Sequence, residues 1–313
     1  MSGYDADNTL AVVALGGNAL VRPGQGLGAD EQRATVAGAM DLLAPLADRR
    51  PLVITHGNGP QVGMLARGEG ANAGYPLDVL DAETEGLIGY LIEQELANRL
   101  ASRQVATLLT QVEVDPHDPA FLDPVKPVGP AYEADHARRL GDEHGWTMGE
   151  RKGGWRRLVA SPKPRRVREL DAIRLLGEAG VVVICAGGGG IPAVRREDGV
   201  LMAVEAVVDK DWISALLARE LGAGLLLLLT DVEAVWAHRG EPGERAIRAA
   251  TPDAIQALSL EAGTMGPKVE AACEFVTVTG RPAVIGALGD APALVAGEAG
   301  TRIEATAGGL SYW

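Results

Sequence analysis

Leu10–Asn18 reads LAVVALGGN, an apolar run that ends on a double glycine. A continuous apolar stretch this short fits a strand buried on both faces. The pattern recurs. Pro51–Thr55 (PLVIT) stops at His56-Gly57-Asn58-Gly59-Pro60, and Val181–Cys185 (VVVIC) stops at Ala186 and the glycines Gly187–Gly190. Leu225–Thr230 (LLLLLT) stops at Asp231. Between these runs lie segments with helical spacing: Asp30–Asp48, a start at Gln61–Arg67, Asp81–Leu100 with Asp81 expected as its N-cap, Glu169–Glu178 and Asp209–Leu221. Pro252–Leu258 and Pro267–Thr279 follow, the second stopped by Gly280. Val105–Val114 is expected as one further strand, and Pro282–Gly286 and Thr301–Ala305 as the last two. Strands alternating with helices predict an α/β fold, with a mostly parallel sheet covered on both faces.

One region breaks the rhythm. From Asp115 to about Pro164 the chain is rich in Pro, Gly, Asp, His and Arg, and carries DPHDPAFLDPVKPVGP and RKGGWRR. About 50 residues is too long for a plain loop in a compact domain. A small inserted subdomain is expected, with Phe121, Trp146, Trp155 and Leu158 to pack it; a disordered linker is the alternative. A length of 313 residues fits one large α/β domain with such an insertion, or two unequal lobes.

Composition removes several classes of function. Hydrophobic residues at 47% and charged residues at 23% predict a packed core. Aromatics at 4% leave that core to Val, Leu, Ile and Ala. The net charge of −13 argues against a nucleic-acid binder, although local lysines and backbone amides can still hold an anion. Cys185 and Cys273 form no framework and no metal spacing, and both are expected as buried thiols. The start, MSGYDADNTL, lacks a basic region followed by an apolar run, and no apolar segment is long enough to span a membrane. A cytoplasmic protein is expected.

The chemistry concentrates at the strand ends. In a parallel sheet, ligands bind beyond the carboxyl ends of the strands. Glycine lets backbone amides approach an anion there. GGN at Gly16–Asn18, HGNGP at His56–Pro60 and GGGG at Gly187–Gly190 therefore predict a shared phosphate-type site. Asp209-Lys210-Asp211 opens a helix, which is either a capped solvated start or a lysine held by Asp211 and aimed at a transferring phosphoryl group. Gly263-Thr264-Met265-Gly266-Pro267-Lys268 offers a second helix start with glycines and a lysine. Leu229-Thr230-Asp231-Val232 puts two polar groups where a nucleotide would sit. No GxxxxGKS/T, HExxH, CxxC or GxSxG occurs, and the glycine spacing at Gly187–Gly190 fails the dinucleotide fingerprint.

Taken together these stretches resemble the carbamate kinases of the amino acid kinase superfamily. The matching segments are VVALGGNAL (Val12–Leu20), THGNGPQVG (Thr55–Gly63), VKPVGP (Val125–Pro130), GGWRRLVASPKP (Gly153–Pro164), CAGGGGIP (Cys185–Pro192), VEAVVDKDWISALLA (Val204–Ala218), LLLTDVEAV (Leu227–Val235) and GTMGPKVEAA (Gly263–Ala272). They run in family order over nearly the whole chain. Many amino acid kinases carry a lysine two residues before the first double glycine; here that position is Ala14, as in carbamate kinases, and Lys126 matches the lysine supplied instead by the inserted subdomain.

The resemblance implies a three-layer α/β/α domain over residues 1–313, with residues 115–164 as a protruding lid. It implies reversible phosphoryl transfer between ATP and carbamate, usually run from ADP and carbamoyl phosphate. Mg²⁺ would ride mainly on the nucleotide phosphates without a protein cage. It also implies a homodimer. By residue, Lys126, Lys210, Asp211 and Lys268 would be catalytic. Gly16, Gly17, Asn18, Gly57, Asn58, Gly188 and Gly189 would hold phosphoryl and carbamate groups. Thr230, Asp231, Met265, Gly266 and Lys268 would line the nucleotide site.

One window departs from the family. Where a small neutral stretch such as GAMSQG is typical, this chain has Asp81-Ala82-Glu83-Thr84-Glu85-Gly86. These are either favourable acids in a first helical turn or a changed acceptor site. The alternatives to a carbamate kinase are thus a related kinase for a different small acid, and a catalytically weak nucleotide or metabolite sensor.

Overall fold

The computed structural model describes residues 9–17, 20–21, 24–67, 69, 74–258 and 265–313. Across the main sheet the strands run in the order Trp236–Ala237, Arg245–Ala250, Thr301–Ile303, Ala283–Ala287, Leu225–Thr230, Ala11–Leu15, Leu52–His56, Val182–Ile184 and Val105–Thr107. From Ala283–Ala287 to Val105–Thr107 every neighbouring pair is parallel. Antiparallel pairing enters only toward the far edge, where Thr301–Ile303 meets Ala283–Ala287.

Alternation along the central strands builds two cores. Val12 and Ala14 face one side while Ala11, Val13 and Leu15 face the other; Leu226 and Leu228 part likewise from Leu225, Leu227 and Leu229. The helices Leu170–Glu178, Lys210–Glu220 and Met265–Thr279 cover the first side. The helices Ala29–Arg49, Leu77–Ala97 and Ala291–Ala296 cover the second. The α/β/α sandwich is therefore as expected. Cys185 and Cys273 are free and buried.

Several local expectations need correction. The single strand expected over Val105–Val114 is two. Val105–Thr107 edges the main sheet, and Gln111–Val114 belongs to a separate four-stranded sheet with Ile191–Arg195, Leu201–Ala203 and Pro164–Val167. The chain leaves the main sheet after Leu108, whose N–H still donates to the Ile184 carbonyl at 2.9 Å. The helix expected from Asp81 begins at Leu77, with Pro76 at its N-cap, so Asp81 lies inside it. The Leu77 N–H is satisfied by Glu205 Oε1 at 3.0 Å, which explains how the helix starts without a local capping side chain. The C-terminal SYW is structural: Leu310–Tyr312 pairs with Arg245–Ala250, and Trp313 Nε1 donates to the Gly300 carbonyl at 2.9 Å.

Between Asp115 and Pro164 lies a three-stranded sheet in the order Lys126–Tyr132, Gly154–Val159, Thr147–Arg151. The helix Ala134–His144 packs on it through buried Ala137 and Leu140. Arg157 of this sheet pairs with Glu205 of the main body, and its guanidinium stacks 4.3 Å from the centre of the Trp146 ring.

Candidate active site

A cavity of about 430 Å³ lies beyond the carboxyl ends of the central strands. Gly16 and Gly17 follow Ala11–Leu15, Gly57 and Asn58 follow Leu52–His56, and Thr230 and Asp231 end Leu225–Thr230 and its turn; all line it. Gly188, Lys126, Asp209, Lys210, Asp211 and Lys268 complete the polar wall. Gly16 packs tightly on the neighbouring strand: a Cβ there would stand 3.0 Å from the Leu229 carbonyl oxygen.

The cationic side is built from two helix starts. Asp209 caps Lys210–Glu220, its side chain accepting from the Asp211 N–H at 2.9 Å. That cap fixes the direction of the two side chains that follow. Lys210 Nζ donates to Asp211 Oδ1 at 2.5 Å, and Lys268 Nζ, from the helix Met265–Thr279, donates to Asp211 Oδ2 at 2.8 Å. Lys126, at the start of its strand, donates to Asp209 Oδ2 at 2.8 Å. One short acidic pair thus holds three lysines from three separate parts of the chain. Thr55 and Ser214 share a buried hydroxyl bond at 2.6 Å, which ties the strand carrying Gly57 to the helix carrying Lys210.

Burial alone would raise the Asp211 pKa, but the two lysine charges outweigh it and hold the carboxyl down at about 2. Lys268 is buried beside a second ammonium. Desolvation and the Lys210 charge push it down to about 8, against the pull of Asp211. The cluster is therefore an ionised carboxylate between cations, with positive charge in excess for an anion.

The opposite wall is braced from behind. Asp81, Thr84 and Glu85 are buried on one face of the helix Leu77–Ala97, while Glu83 points to solvent. Asn58 Nδ2 donates to Asp81 Oδ1 at 3.1 Å and to Thr84 Oγ1 at 3.0 Å. Glu85 Oε1 accepts from the Gly187 N–H at 2.8 Å, and Oε2 accepts from the Thr110 N–H at 3.2 Å. Burial raises the pKa of Asp81 to about 7 and of Glu85 to about 8. The acidic window is neither a first helical turn nor part of the cavity lining. Its two buried acids, Asp81 and Glu85, hold the loops that carry Asn58 and Gly188 into the lining.

Other expected site residues fall as follows. Gly189 sits behind the cavity, so close to Val208 that a Cβ would lie 1.9 Å from its carbonyl oxygen. Met265 packs against the core, and Gly266 lines a neighbouring groove beside Lys163 and Trp212. Asn18, Gly263 and Thr264 lie outside the described residues. Sequence reading missed the Lys126–Asp209 pair and the Glu205 bridge, because both join residues distant along the chain. It took Asp209 as a cap only, and the DKD spacing alone carries no sign of the second partner.

Fold and cavity together define a kinase-type pocket, lined by lysines and glycine turns at the strand ends. The profile of the amino acid kinase family matches residues 9–287, and the chain belongs to that family. Within it, the chain is 50% identical to a carbamate kinase of Rhizobium meliloti (strain 1021), over 96% of this chain and 95% of the relative. It is 49% identical to a carbamate kinase of Haemophilus influenzae, over 96% and 99%. The solved carbamate kinase of Giardia lamblia bound to AMP-PNP superposes with a TM-score of 0.88 at 37% identity, covering 96% of this chain and 99% of that one. Among the described residues no helix is long and apolar enough to cross a membrane.

Proposed function

We propose that the protein transfers a phosphoryl group from carbamoyl phosphate to ADP, giving ATP and carbamate, and runs the reverse reaction as well. The observation that carries this reading is the convergence of Lys126, Lys210 and Lys268 on Asp209 and Asp211 beside glycine turns. The relatives named as carbamate kinases supply the acceptor. A β-phosphate oxygen of ADP attacks the phosphorus, the bond from phosphorus to the carbamoyl oxygen breaks, and its electron pair leaves on carbamate. No covalent enzyme intermediate is required.

In this reading Lys210 neutralises the transferring group, and Lys268 neutralises the nucleotide phosphates. Asp211 orients both ammonium groups. Thr230 and Asp231 face the nucleotide, while the amides of Gly17 and Gly188 receive phosphoryl and carbamate oxygens; the Gly16 and Gly57 N–H groups, expected in the same role, are instead committed to the Leu229 and Leu15 carbonyls at 3.1 Å. Lys126 leaves Asp209 for the incoming anion as the three-stranded sheet closes over it, excluding water. Asp209 and Asp211 are committed to lysines, which leaves the nucleotide phosphates as the place where Mg²⁺ would be held. Bound there it supplies charge neutralisation on the phosphates. A second copy of the chain is expected against the helix Leu77–Ala97, where Val79, Leu87, Tyr90 and the nearby Leu109 stand exposed. The cytoplasm is the compartment this reading assigns.

The test is an acceptor panel. With MgATP and equal concentrations of carbamate, acetate, aspartate and glutamate, ADP release is expected with carbamate at least about tenfold above the others. Faster turnover with another acid would replace carbamate as the acceptor, and nucleotide binding with no turnover would favour a sensor.

A further inference from the structure

The turn that brings Gly188 into the cavity is held in an unfavourable backbone. Ala186 has φ of 50° and is not glycine, and Gly188, Gly189 and Gly190 follow at φ of 69°, 111° and 79°. A left-handed alanine inside a buried turn persists only where its surroundings over-determine it. Two side chains do this. The Thr110 hydroxyl accepts from the Ala186 N–H at 2.9 Å, and Glu85 Oε1 accepts from the Gly187 N–H at 2.8 Å while its other oxygen takes the Thr110 N–H. Glu85 is fully buried, and a Cβ on Gly187 would meet its side chain at 2.8 Å and the His56 ring at 2.4 Å. One helical turn earlier, Asp81 holds Asn58, the second loop of the same wall.

We infer that Glu85 is a positioning residue for the reaction: from the helix behind the cavity it fixes the Ala186–Gly190 turn, and so places the Gly188 backbone against the carbamoyl phosphate side. This rests on the kinase reading for the substrate it names, but not for the contact itself. A charged carboxylate behind an anion site would oppose the anion; burial favours the neutral acid there, against the pull of the Gly187 and Thr110 N–H groups. The titratable groups facing Glu85 are Asp81 on the same helix, His56 at the end of its strand and Cys185 before the turn. None supplies a cation at neutral pH. Burial lowers His56 to about 4 and raises Cys185 well above neutrality, and Asp81 also lies above the ordinary carboxylate range. Glu85 is accordingly raised to about 8.

The experiment compares wild type, Glu85→Gln and Glu85→Ala in two readouts. Amide hydrogen exchange over residues 182–192 needs no turnover. Glu85→Ala is expected to speed it at least about tenfold, and Glu85→Gln, which keeps an oxygen for Gly187, by less. In steady-state assays Glu85→Ala is expected to lower kcat/KM for carbamoyl phosphate at least about tenfold, with kcat/KM for MgADP within about threefold. Unchanged exchange in a folded Glu85→Ala, or equal losses for both substrates, overturns the inference. If Glu85→Ala does not fold, Glu85→Gln decides by pH. Between pH 7 and 9 the wild-type ratio of kcat/KM for carbamoyl phosphate to that for MgADP is expected to fall as Glu85 ionises, and to stay flat in the variant. A ratio that falls equally in both overturns it. A wild type without turnover sinks the kinase reading instead, and the exchange result still decides this one.

Discussion

Asp211 and Glu85 are both buried carboxyls, one lining the cavity and the other bracing it from behind, and their pKa values are displaced in opposite directions. Asp211 touches two ammonium groups, which hold it ionised at about 2. Glu85 accepts from the Gly187 and Thr110 N–H groups and has no cation beside it, and burial raises it to about 8. Burial alone therefore does not assign a charge; the partners do. The consequence is a division of labour across the cavity. One wall is positive and built by ion pairs, and the other is braced by buried acids that accept hydrogen bonds from Asn58, Thr110 and Gly187.

The largest effect is expected from breaking the ionic wall. Asp211→Asn leaves two lysines with one neutral amide between them, and is expected to cost about 3–5 kcal/mol of stability by urea denaturation. Loss of stability below about 1 kcal/mol would mean that the lysines find another counter-charge. Next comes Lys126, whose ion pair with Asp209 is partly exposed and contributes little stability. Lys126→Ala is expected to lower kcat/KM for carbamoyl phosphate by about 10²-fold while shifting stability by less than about 1 kcal/mol.

A pH titration of stability sharpens the contrast in sign. Asp211 has a depressed folded pKa, so its contribution is full above its ordinary value of 3.8 and is lost as pH falls toward about 2. Asp81 and Glu85 have raised folded values, so their contribution is present below about 4 and declines as pH rises to about 7 and 8. Guanidinium midpoints from pH 4 to 8 are expected to show that decline, and the double variant Asp81→Asn, Glu85→Gln to flatten it. The smallest effect belongs to Glu83, the solvent-facing member of the window. Glu83→Gln is expected to leave stability within about 0.5 kcal/mol and the substrate kinetics unchanged.

The layered sheet and the positive wall were legible in the sequence for physical reasons. LAVVAL, PLVIT and LLLLLT are apolar on both faces because both faces are covered, and glycines must follow where the backbone approaches a ligand. The lysines were legible because DKD and GPK sit at helix starts. The braced wall was not. Asp81 read as an N-cap, and its window as first-turn acids or a changed acceptor site, since nothing local shows that Asn58, Thr110 and Gly187 close over Asp81 and Glu85. Helix propensity was equally silent on where that helix begins, because Glu205, far along the chain, satisfies Leu77. The terminal SYW needed its partner strand to make sense; with Arg245–Ala250 beside it, Arg245 and Arg248 stack on Tyr312 and Trp313.

The central claim is that the three-lysine cluster drives phosphoryl transfer from carbamoyl phosphate. Purified protein mixed with MgADP and carbamoyl phosphate is expected to form ATP, and Lys210→Ala, still folded by circular dichroism, to lose at least about 10²-fold of that rate. ATP formation that persists undiminished in Lys210→Ala, or its absence from the wild type while nucleotide still binds, would contradict the account.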